Sequence, residues 1–500
     1  MAFSRILKTP YFLFLVSGIL LGIGFVLPVL WVVSFFGILV FLLVVTKNTS
    51  FKKVVLGGWL AFTTKSLFAT SMFFKVNPEA GLNLMLGHWE NLFIFLYWVT
   101  VSLFLGSGGA LLASGFWFLQ KKINAKVLPF LFVILFIFSE VFGSLMFSIL
   151  TFGVGATINT AYSLGYFGYL LAEHETLLQF ARWGGVYILS ALGAVLGYGL
   201  WLIFSLNSRL NFYKISGPFI AVLFFSASWS LVEDYKPSEN KTVLIVDTTF
   251  TDTSSESMSD DIDIYKHEVI VEAVTFALSY EPDYLILPEG SYYNDGNLTP
   301  ESAYKLFRFQ TGDTKTVMID VSPAFLTKNS ATVRATIYDG VGKEGYGVDK
   351  QSLTPQGEFM PYIYIALLKT LGFSDLLEQI RSKLYYQPGP LFDQTLLPDY
   401  IPSVMFCFEG LDPKGVRKVI KGRESVPFVA HPVSHSWFDE SEVLNHSLDT
   451  ILKVQAVWNQ VPVVSAGNMS EGALYSREGI KVTPEIVESG KDWKIGIINL

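Results

Sequence analysis

Long apolar segments fill the first 232 residues of the chain, and the first of them, residues 9–46, contains no charged side chain. An α-helix needs about 20 mostly apolar residues to cross the hydrocarbon core of a bilayer. Short polar stretches divide this part of the sequence into pieces of suitable length. The sequence therefore predicts an N-terminal α-helical membrane bundle of about seven spans, at about residues 11–27, 29–46, 55–74, 92–118, 128–150, 181–205 and 215–232.

Composition separates this bundle from the rest of the chain. Hydrophobic residues make up 51% of the 500 and charged residues only 16%, which is unusual for a soluble globular protein. Residues 233–290, in contrast, are dense in Asp and Glu. We predict a transmembrane domain at 1–232 and an extracytoplasmic domain at 233–500. With a formal net charge of -7, the chain has none of the basic character that binding to a nucleic-acid backbone requires.

Lysine and arginine in the short loops predict the orientation of the bundle, because loops rich in these residues stay on the cytoplasmic side. They precede the first predicted span and occupy every second connection: Arg5, Lys8, Lys47, Lys52, Lys53, Lys121, Lys122, Lys126, Arg209 and Lys214. Seven crossings from a cytoplasmic N-terminus would place everything after residue 232 on the extracytoplasmic side.

Two ionisable residues, Lys65 and Glu140, lie inside predicted spans. Burying a charge in a bilayer is costly, so each side chain should face the bundle interior, a partner or a cavity. Two interpretations stay open. The residues form either a polar site for a headgroup or substrate, or a purely structural feature, which would be a Lys–Glu pair or a side chain that snorkels to the interface.

The second half of the sequence alternates short β-rich runs with amphipathic segments. Strands are predicted at residues 243–246, 284–287, 316–320, 333–338, 403–406 and 428–430, and helices at 265–279 and 445–458. This alternation indicates an α/β domain with a layered sheet core. About 260 residues suffice for one such domain.

Glu289 is the first candidate for chemistry. It follows the apolar run Asp283–Pro288, so its carboxylate emerges where a strand ends, at the edge where α/β domains form their sites. A solvated loop carboxylate would give the same pattern.

Cys407 is the only cysteine of the chain, which excludes an intrachain disulfide and a thiolate metal cluster. It lies in Ser403–Gly410, which we interpret as a strand running into a tight glycine turn. That geometry exposes a nucleophile and offers backbone N–H groups to an oxyanion. The alternative is a small buried apolar residue, the usual role of a free cysteine.

Lys350 opens the block Lys350–Glu358, in which a carboxylate follows the cation after a Pro/Gly turn. Taken alone, such a lysine is typical of a solvated surface. A thiol with a pKa of about 8.5 is mostly protonated at neutral pH, so thiolate chemistry needs a cation and a base near the sulfur. Lys350 and Glu289 could supply them.

Three motifs together resemble a known family. In chain order, Leu287–Glu289, Lys350–Glu358 and Cys407–Glu409 are similar to the Glu, Lys and Cys motifs of the nitrilase, or carbon–nitrogen hydrolase, superfamily. The family's lysine motif, Lys-x-x-Leu-x-Pro-x-Gly-Glu, is matched throughout. In the membrane half, Leu177–Ser190 is similar to the segment that enters the sixth span of the apolipoprotein N-acyltransferases. The chain as a whole resembles that family.

The resemblance has departures that concern substrate recognition more than the three motifs. Ser434–Phe438 is similar to the family's Ser-Asn-Asp-x-Trp-Phe block, but the Asn-Asp pair is replaced around His435 and Ser436. Phe408 also stands where the family often has tyrosine.

The resemblance implies a C-terminal nitrilase-like αββα sandwich domain with a Glu-Lys-Cys triad. Glu289 is expected to act as the base, Cys407 as the nucleophile and Lys350 as the cation that stabilises the oxyanion. Supporting roles are expected for Glu358, Glu409, Phe408 and Trp437. No cofactor and no metal are expected.

The resemblance also implies substrates and a location. A fatty acyl group would pass from a phospholipid to Cys407 as a thioester, and then to the N-terminal amine of a diacylglyceryl-cysteine lipoprotein, with ping-pong kinetics. The enzyme would be a multi-pass protein of the bacterial inner membrane, with a cytoplasmic N-terminus and a periplasmic catalytic domain. We expect a monomer.

Three alternatives stay open from the sequence. A membrane-tethered amidase or nitrilase-type hydrolase would use the same triad with water as the acceptor. A transporter or scaffold would use the nitrilase-like domain only for binding. The altered block around His435 and Ser436 would also fit an acyltransferase that binds lipoprotein without turnover.

Overall fold

The computed structural model describes residues 10–76, 90–205, 241–250, 260–294, 297–327, 330–375, 377–378, 386–438 and 441–500. The predicted seventh span, residues 215–232, lies outside this part of the chain, and so does the predicted domain boundary between residues 232 and 233.

The described membrane half is helical. Its α-helices are α1 (Pro10–Val26), α2 (Ser34–Lys47), α3 (Phe51–Ala69), α4 (Glu90–Lys122), α5 (Leu128–Leu150), α6 (Phe167–Leu171), α7 (Glu175–Leu178) and α8 (Val186–Ser205). Short 3-10 helices lie at Pro28–Val33, Ser71–Lys75 and Gln179–Trp183. Four helical stretches are long and apolar enough to cross a membrane: Pro28–Lys47, Asn91–Lys122, Leu128–Leu150 and Val186–Ser205. Among the described residues this supports a membrane protein, with fewer clear candidate spans than the seven predicted.

The boundaries of two predicted spans show how the α-helices differ from the prediction. The predicted span at 55–74 ends as an α-helix at Ala69, and a 3-10 helix follows. The predicted span at 181–205 begins as an α-helix only at Val186. Gly185 explains the second difference, because its φ of 62° lies in the left-handed region and separates α8 from the preceding 3-10 helix.

Glycine allows α3 and α4 to approach each other closely. A Cβ atom on Gly58 would overlap the carbonyl oxygen of Gly109, and a Cβ atom on Gly109 would overlap that of Gly58. Small residues let helix backbones meet in this way inside membranes, where packing replaces the hydrophobic effect as the main attraction.

The two ionisable residues of the predicted spans form a buried ion pair. Lys65 Nζ lies 3.1 Å from Glu140 Oε1, and both side chains are almost inaccessible. The same carboxylate oxygen accepts the backbone N–H of Phe167 at 2.6 Å, at the start of α6. The pair therefore joins three helices, as the structural interpretation requires.

Twelve strands of the described chain form one mixed sheet. They are β1 (Thr242–Thr248), β2 (Tyr284–Glu289), β3 (Val317–Thr327), β4 (Ser330–Asp339), β5 (Glu344–Asp349), β6 (Ser403–Val404), β7 (Val429–Ser434), β8 (Val463–Asn468), β9 (Ala473–Tyr475), β10 (Lys481–Val482), β11 (Glu485–Gly490) and β12 (Trp493–Asn499). One run pairs in the order β11-β12-β1-β2-β3-β4-β5, and the other in the order β6-β7-β8-β9-β10. A single residue pair, Thr248 with Asn468, joins the two runs.

The two runs face each other, and helices cover both outer faces. Alternate residues of β1 show this, because Val243 and Ile245 pack into a core shared with β7 and β8, while Leu244 packs on the opposite side. The α-helices of this half are α9 (Asp260–Leu278), α10 (Pro300–Thr311), α11 (Tyr362–Thr370), α12 (Gly415–Val419) and α13 (Glu442–Asn459). α9 and α10 cover the first run, and α12 and α13 cover the second. These layers give an αββα order.

The membrane half packs directly against the α/β half. The segment between α5 and α6 accepts two backbone hydrogen bonds, from Leu353 N to Gly155 O at 3.1 Å and from Tyr362 N to Phe152 O at 2.9 Å. A second contact between the two halves joins His446 of α13 to Glu173, with 2.7 Å between Nε2 and Oε1. The edge of the sheet that carries the candidate residues therefore faces the membrane bundle.

Candidate active site

Three chain segments bring the predicted triad together. Glu289 is the last residue of β2, Lys350 directly follows β5, and Cys407 begins a 3-10 helix, Cys407–Leu411, just after β6. The predicted strand at 403–406 is shorter, at Ser403–Val404, because the chain turns before the nucleophile. Within the first run, β2 and β5 point in the same direction as β1, and within the second run β6 points in the same direction as β8. Since β1 and β8 are parallel where the runs join, the three strand ends lie at one edge.

Lys350 is buried between two carboxylates. Its Nζ donates to Glu289 Oε1 at 2.9 Å and to Glu358 Oε1 at 2.8 Å, and the side chain is only 1% exposed. Burial alone would lower the pKa of Lys350, but the two carboxylates outweigh it and raise that pKa above its usual value. Lys350 is therefore a fixed cation in this site.

The carboxyl group of Glu289 has a raised pKa. One carboxylate oxygen bonds Lys350, while Oε2 is buried without a hydrogen-bond partner among the described residues. Burial raises the pKa of Glu289 to about 7; the charge of Lys350 opposes this shift and that of Glu358 adds to it. A carboxyl group with such a pKa can take up and release a proton near neutral pH, as a general base must.

The thiol of Cys407 is half-buried and faces a backbone carbonyl. Its Sγ lies 3.8 Å from the carbonyl oxygen of Ser434. Burial raises the pKa of Cys407 to about 12, with the charge of Glu289 adding to the shift and that of Lys350 opposing it. The resting residue is therefore a thiol, and it needs a base at the moment of attack.

Glu409 ties the nucleophile's turn to the lysine loop. Its Oε1 accepts the backbone N–H groups of Gln351 at 2.9 Å and Ser352 at 3.1 Å, and its Oε2 accepts that of Phe406 at 3.2 Å. Each donor is next to a triad residue or one position beyond. Glu409 thus fixes the spacing between Lys350 and Cys407.

The block Lys350–Glu358 folds into a compact turn that directs the Glu358 carboxylate toward Lys350. Glu358 Oε2 accepts the backbone N–H of Thr354 at 2.6 Å while Oε1 holds Lys350. The backbone of Gly357 packs against Trp437, and a Cβ atom on Gly357 would overlap the indole ring. The glycine of the motif is thus required by the close approach of Trp437.

A cavity of about 260 Å³ opens above the triad. Glu289, Cys407, Phe408 and Trp437 line it from the α/β half. The opposite wall comes from the membrane half and is mainly apolar and aromatic: Met72, Phe73, Phe93, Ile94, Tyr97, Phe147 and Tyr162. The supporting residues predicted from the sequence therefore either brace the triad or line its cavity.

His435 and Asn468 are not among the predicted catalytic or supporting residues, although both line the cavity. Asn468 donates to the hydroxyl of Ser434 at 3.1 Å. His435 contacts Asn445, with 2.8 Å between Nδ1 and Oδ1, and burial lowers its pKa to about 4. The available signal was the departure at His435 from a block in which Ser434, Trp437 and Phe438 still match. Within the described ranges, no three His, Cys, Asp or Glu side chains are grouped as a metal ion would require.

No protein-family model and no curated protein matches the chain. Among solved structures, it is similar to the Nesterenkonia AN1 amidase from the nitrilase superfamily, at 14% identity and a TM-score of 0.35, covering 54% of this chain and 94% of the amidase. It is also similar to a carbon–nitrogen hydrolase from Helicobacter pylori G27, at 12% identity and a TM-score of 0.33, covering 51% of this chain and 89% of the hydrolase.

Proposed function

We propose that the chain is an N-acyltransferase of the apolipoprotein type, which moves a fatty acyl group from a phospholipid to the N-terminal amine of a diacylglyceryl-cysteine lipoprotein. One observation carries the proposal. Cys407, with Lys350 and Glu289 beside it, opens into a cavity whose opposite wall belongs to an apolar helical bundle. A thiol nucleophile placed against such a wall suits substrates that are themselves held in a bilayer.

In the first half-reaction, Glu289 takes the proton of the Cys407 thiol while the sulfur attacks the ester carbonyl carbon of the phospholipid. The C–S bond forms and the carbonyl oxygen becomes an oxyanion, which the fixed charge of Lys350 stabilises. The C–O bond then breaks. The departing alkoxide of the lysophospholipid takes the proton from Glu289 and leaves an acyl thioester on Cys407.

In the second half-reaction, the neutral amine of the lipoprotein attacks the thioester carbon. The new C–N bond forms, Glu289 takes a proton from the nitrogen, and the C–S bond breaks. The sulfur leaves as a thiolate and recovers that proton from Glu289. The products are an amide and the free thiol, and a single acyl-enzyme site gives ping-pong kinetics.

The supporting residues have separate roles in this scheme. Glu358 and Glu409 touch Lys350 or the backbone beside the triad, so they position it. Phe408 and Trp437 line the cavity and would contact the acyl chain. The scheme uses only side chains of this protein and a proton carrier with a pKa near 7, so it requires no cofactor.

The arrangement supports a site at the extracytoplasmic membrane surface, as the distribution of Lys and Arg in the loops predicts. α11 follows the lysine loop, and the helix with the residues just after it leaves apolar side chains exposed: Ile363, Leu367, Leu371 and Phe373. The first residue of α11 contacts Phe152, which lies just past the end of α5. An exposed apolar helix at the end of a spanning helix suits the boundary between headgroups and acyl chains. In this proposal, both substrates enter from the outer leaflet of the bacterial inner membrane.

The first test is intact-mass analysis of the purified full-length chain after incubation with phospholipid. We expect a fatty-acyl mass that hydroxylamine removes, that is absent from Cys407→Ser, and that forms about 100-fold more slowly in Lys350→Met, the size of loss expected for an oxyanion donor. Lys315→Met, at an exposed lysine, serves as the matched control.

Addition of a diacylglyceryl-cysteinyl lipopeptide then separates the candidate functions. Transfer of the acyl mass to the peptide amine supports the proposal. Release of free fatty acid in the presence of the peptide instead supports the hydrolase alternative. Absence of an acyl adduct on the folded wild-type protein would overturn acyl transfer and favour a binding-only role.

A further inference from the structure

His435 lines the active-site cavity and has a ring nitrogen to which no described residue forms a hydrogen bond. The residue follows β7, is only 6% exposed, and lines the cavity that contains Cys407. Its Nδ1 faces Asn445 Oδ1 at 2.8 Å. Since a carbonyl oxygen can only accept, Nδ1 carries the ring proton and Nε2 keeps its lone pair.

Nε2 has no hydrogen-bond partner within the part of the chain that the structure describes. A buried polar atom without a partner is costly, so such an atom at a site usually has a function or a ligand. The neighbouring polar groups are already engaged. Ser434 and Ser436 share a hydroxyl contact of 3.1 Å, and the backbone N–H of His435 donates to Asn468 at 2.9 Å.

The position of His435 relative to the nucleophile is fixed by its neighbour. Ser434 precedes it, and the carbonyl oxygen of Ser434 is the group that lies 3.8 Å from Cys407 Sγ. His435 is therefore the next residue along the chain from the one whose carbonyl group faces Sγ, and both residues line the same cavity. On the other side, Trp437 holds the lysine turn at Gly357.

We propose that His435 Nε2 accepts a hydrogen bond from the amine that attacks the Cys407 thioester, and so positions the acceptor substrate in the second half-reaction. This inference rests on the proposed function and names a further residue of the same site. The reason is chemical. A lone pair needs a donor, and the amine offers N–H groups, whereas the reacting ester of a phospholipid offers only oxygen acceptors.

The role assigned to His435 leaves the proton balance of the transfer unchanged. The amine enters neutral, Nε2 holds one of its N–H groups, and the nitrogen lone pair is turned toward the thioester carbon. Glu289 still takes the proton released when the C–N bond forms, and it returns that proton to the leaving sulfur. His435 acts through orientation, which is an efficient source of rate when two reactants must meet.

The test separates the two half-reactions in the full-length protein. The acyl-enzyme is formed with phospholipid, freed of excess lipid, and mixed with a diacylglyceryl-cysteinyl lipopeptide while intact mass is followed over time. In His435→Leu, we expect acylation within about threefold of wild type and transfer to the amine about 10- to 100-fold slower, as for the loss of one hydrogen bond to a polar or charged group.

Two further variants form a matched pair. His435→Gln places an amide oxygen near the position of Nε2 and should recover a large part of the transfer rate. His435→Asn reaches only the position of Nδ1 and should stay as slow as His435→Leu. This pair decides the question even where the leucine variant fails to fold, because both substitutions are polar and similar in size.

Three results would overturn the inference. They are an equal slowing of acylation and transfer in His435→Leu, no slowing of either, and equal transfer rates for the Gln and Asn variants. If the wild-type protein forms no acyl-enzyme at all, the proposed function fails first and this inference falls with it. That result is visible before any His435 variant is compared.

Discussion

Ser163 of the membrane half donates its hydroxyl to the carbonyl oxygen of Leu411 at 2.6 Å, and its backbone N–H reaches the same oxygen at 3.3 Å. Leu411 ends the 3-10 helix that begins with Cys407. The turn that carries the nucleophile is thus held from one side by Glu409 and from the other by a residue between α5 and α6. The membrane half shapes the site as well as anchoring it.

Ser163→Ala should slow acylation of Cys407 by about 3- to 10-fold, because the hydroxyl bond is lost while the backbone N–H still donates. The measurement is the rate of acyl-enzyme formation by intact mass. Ser107→Ala is the matched control, since the Ser107 hydroxyl bonds only within α4, to Phe104 O. Equal rates for the two variants would contradict the role given to this contact.

Acylation should depend on the ionisation of Glu289. Burial raises the pKa of Glu289 to about 7, and only the ionised carboxylate can take the thiol proton. The rate should therefore fall about tenfold per pH unit below pH 7 and level off above it. Glu289→Gln should lower acylation by about 100- to 10,000-fold and remove this pH dependence. Glu268→Gln, at an exposed position on α9, should keep the wild-type profile.

The free thiol should react slowly with iodoacetamide at neutral pH. Because burial raises the pKa of Cys407 to about 12, the thiolate fraction should grow about tenfold per pH unit up to pH 10 without a plateau. Glu289→Gln removes a negative charge that raises this pKa, so the variant should alkylate faster at pH 9 although its acylation by phospholipid is much slower. A plateau near pH 8 to 9 in the wild type would show an ordinary exposed thiol instead.

Two of the residues that the structure brings together, Glu289 and Lys350, each lie at a local signal in the sequence. Glu289 follows an apolar run that forms β2, and Lys350 opens a motif whose spacing sets a single turn. The sequence predicts β5 poorly, since Gly345 and Gly347 have low strand propensity and the strand is held by pairing with β4. α10 could have been predicted, because Thr299 accepts a backbone N–H as an N-cap and Pro300 follows it.

The cavity wall could not be predicted from the sequence. Phe93, Tyr97 and Phe147 belong to helices that are apolar on nearly every side, so no periodicity distinguishes the residues that face the triad from those that face lipid. Which of these side chains face the triad depends on contacts between residues far apart in the chain, such as the hydrogen bond from Leu353 to Gly155. The unpaired Nε2 of His435 is likewise a tertiary property, because Asn445 fixes the ring.

Gly357→Ala should disturb the cavity through Trp437. The added methyl group would overlap the indole ring, at a cost of about 1–3 kcal/mol, and should displace the wall beside Glu358. We expect slower acylation in the single variant. In a double-mutant cycle with Trp437→Ala, the two changes should be strongly non-additive, because the smaller side chain makes room for the methyl group. If the losses of acylation rate in the two single variants simply add in the double variant, the effect of Gly357→Ala does not act through Trp437.

The buried pair in the membrane half should contribute to stability as a unit. Lys65→Met leaves Glu140 buried without its cation, which should lower the free energy of unfolding by about 3 kcal/mol. Adding Glu140→Gln should recover most of the loss, since an amide oxygen can still accept the N–H of Phe167. Adding Glu140→Leu should recover less, because that N–H then loses its partner.

The measurement for this pair is unfolding in detergent, with Lys52→Met as the matched control at an exposed lysine of the same helix. Equal stability of Lys65→Met and Lys52→Met would contradict a structural pair. Acyl transfer in the Lys65→Met, Glu140→Gln double variant then separates the two interpretations of these charges. A stable double variant that still transfers the acyl group has lost only a brace between helices, whereas a stable but inactive one shows that the charges themselves serve a substrate.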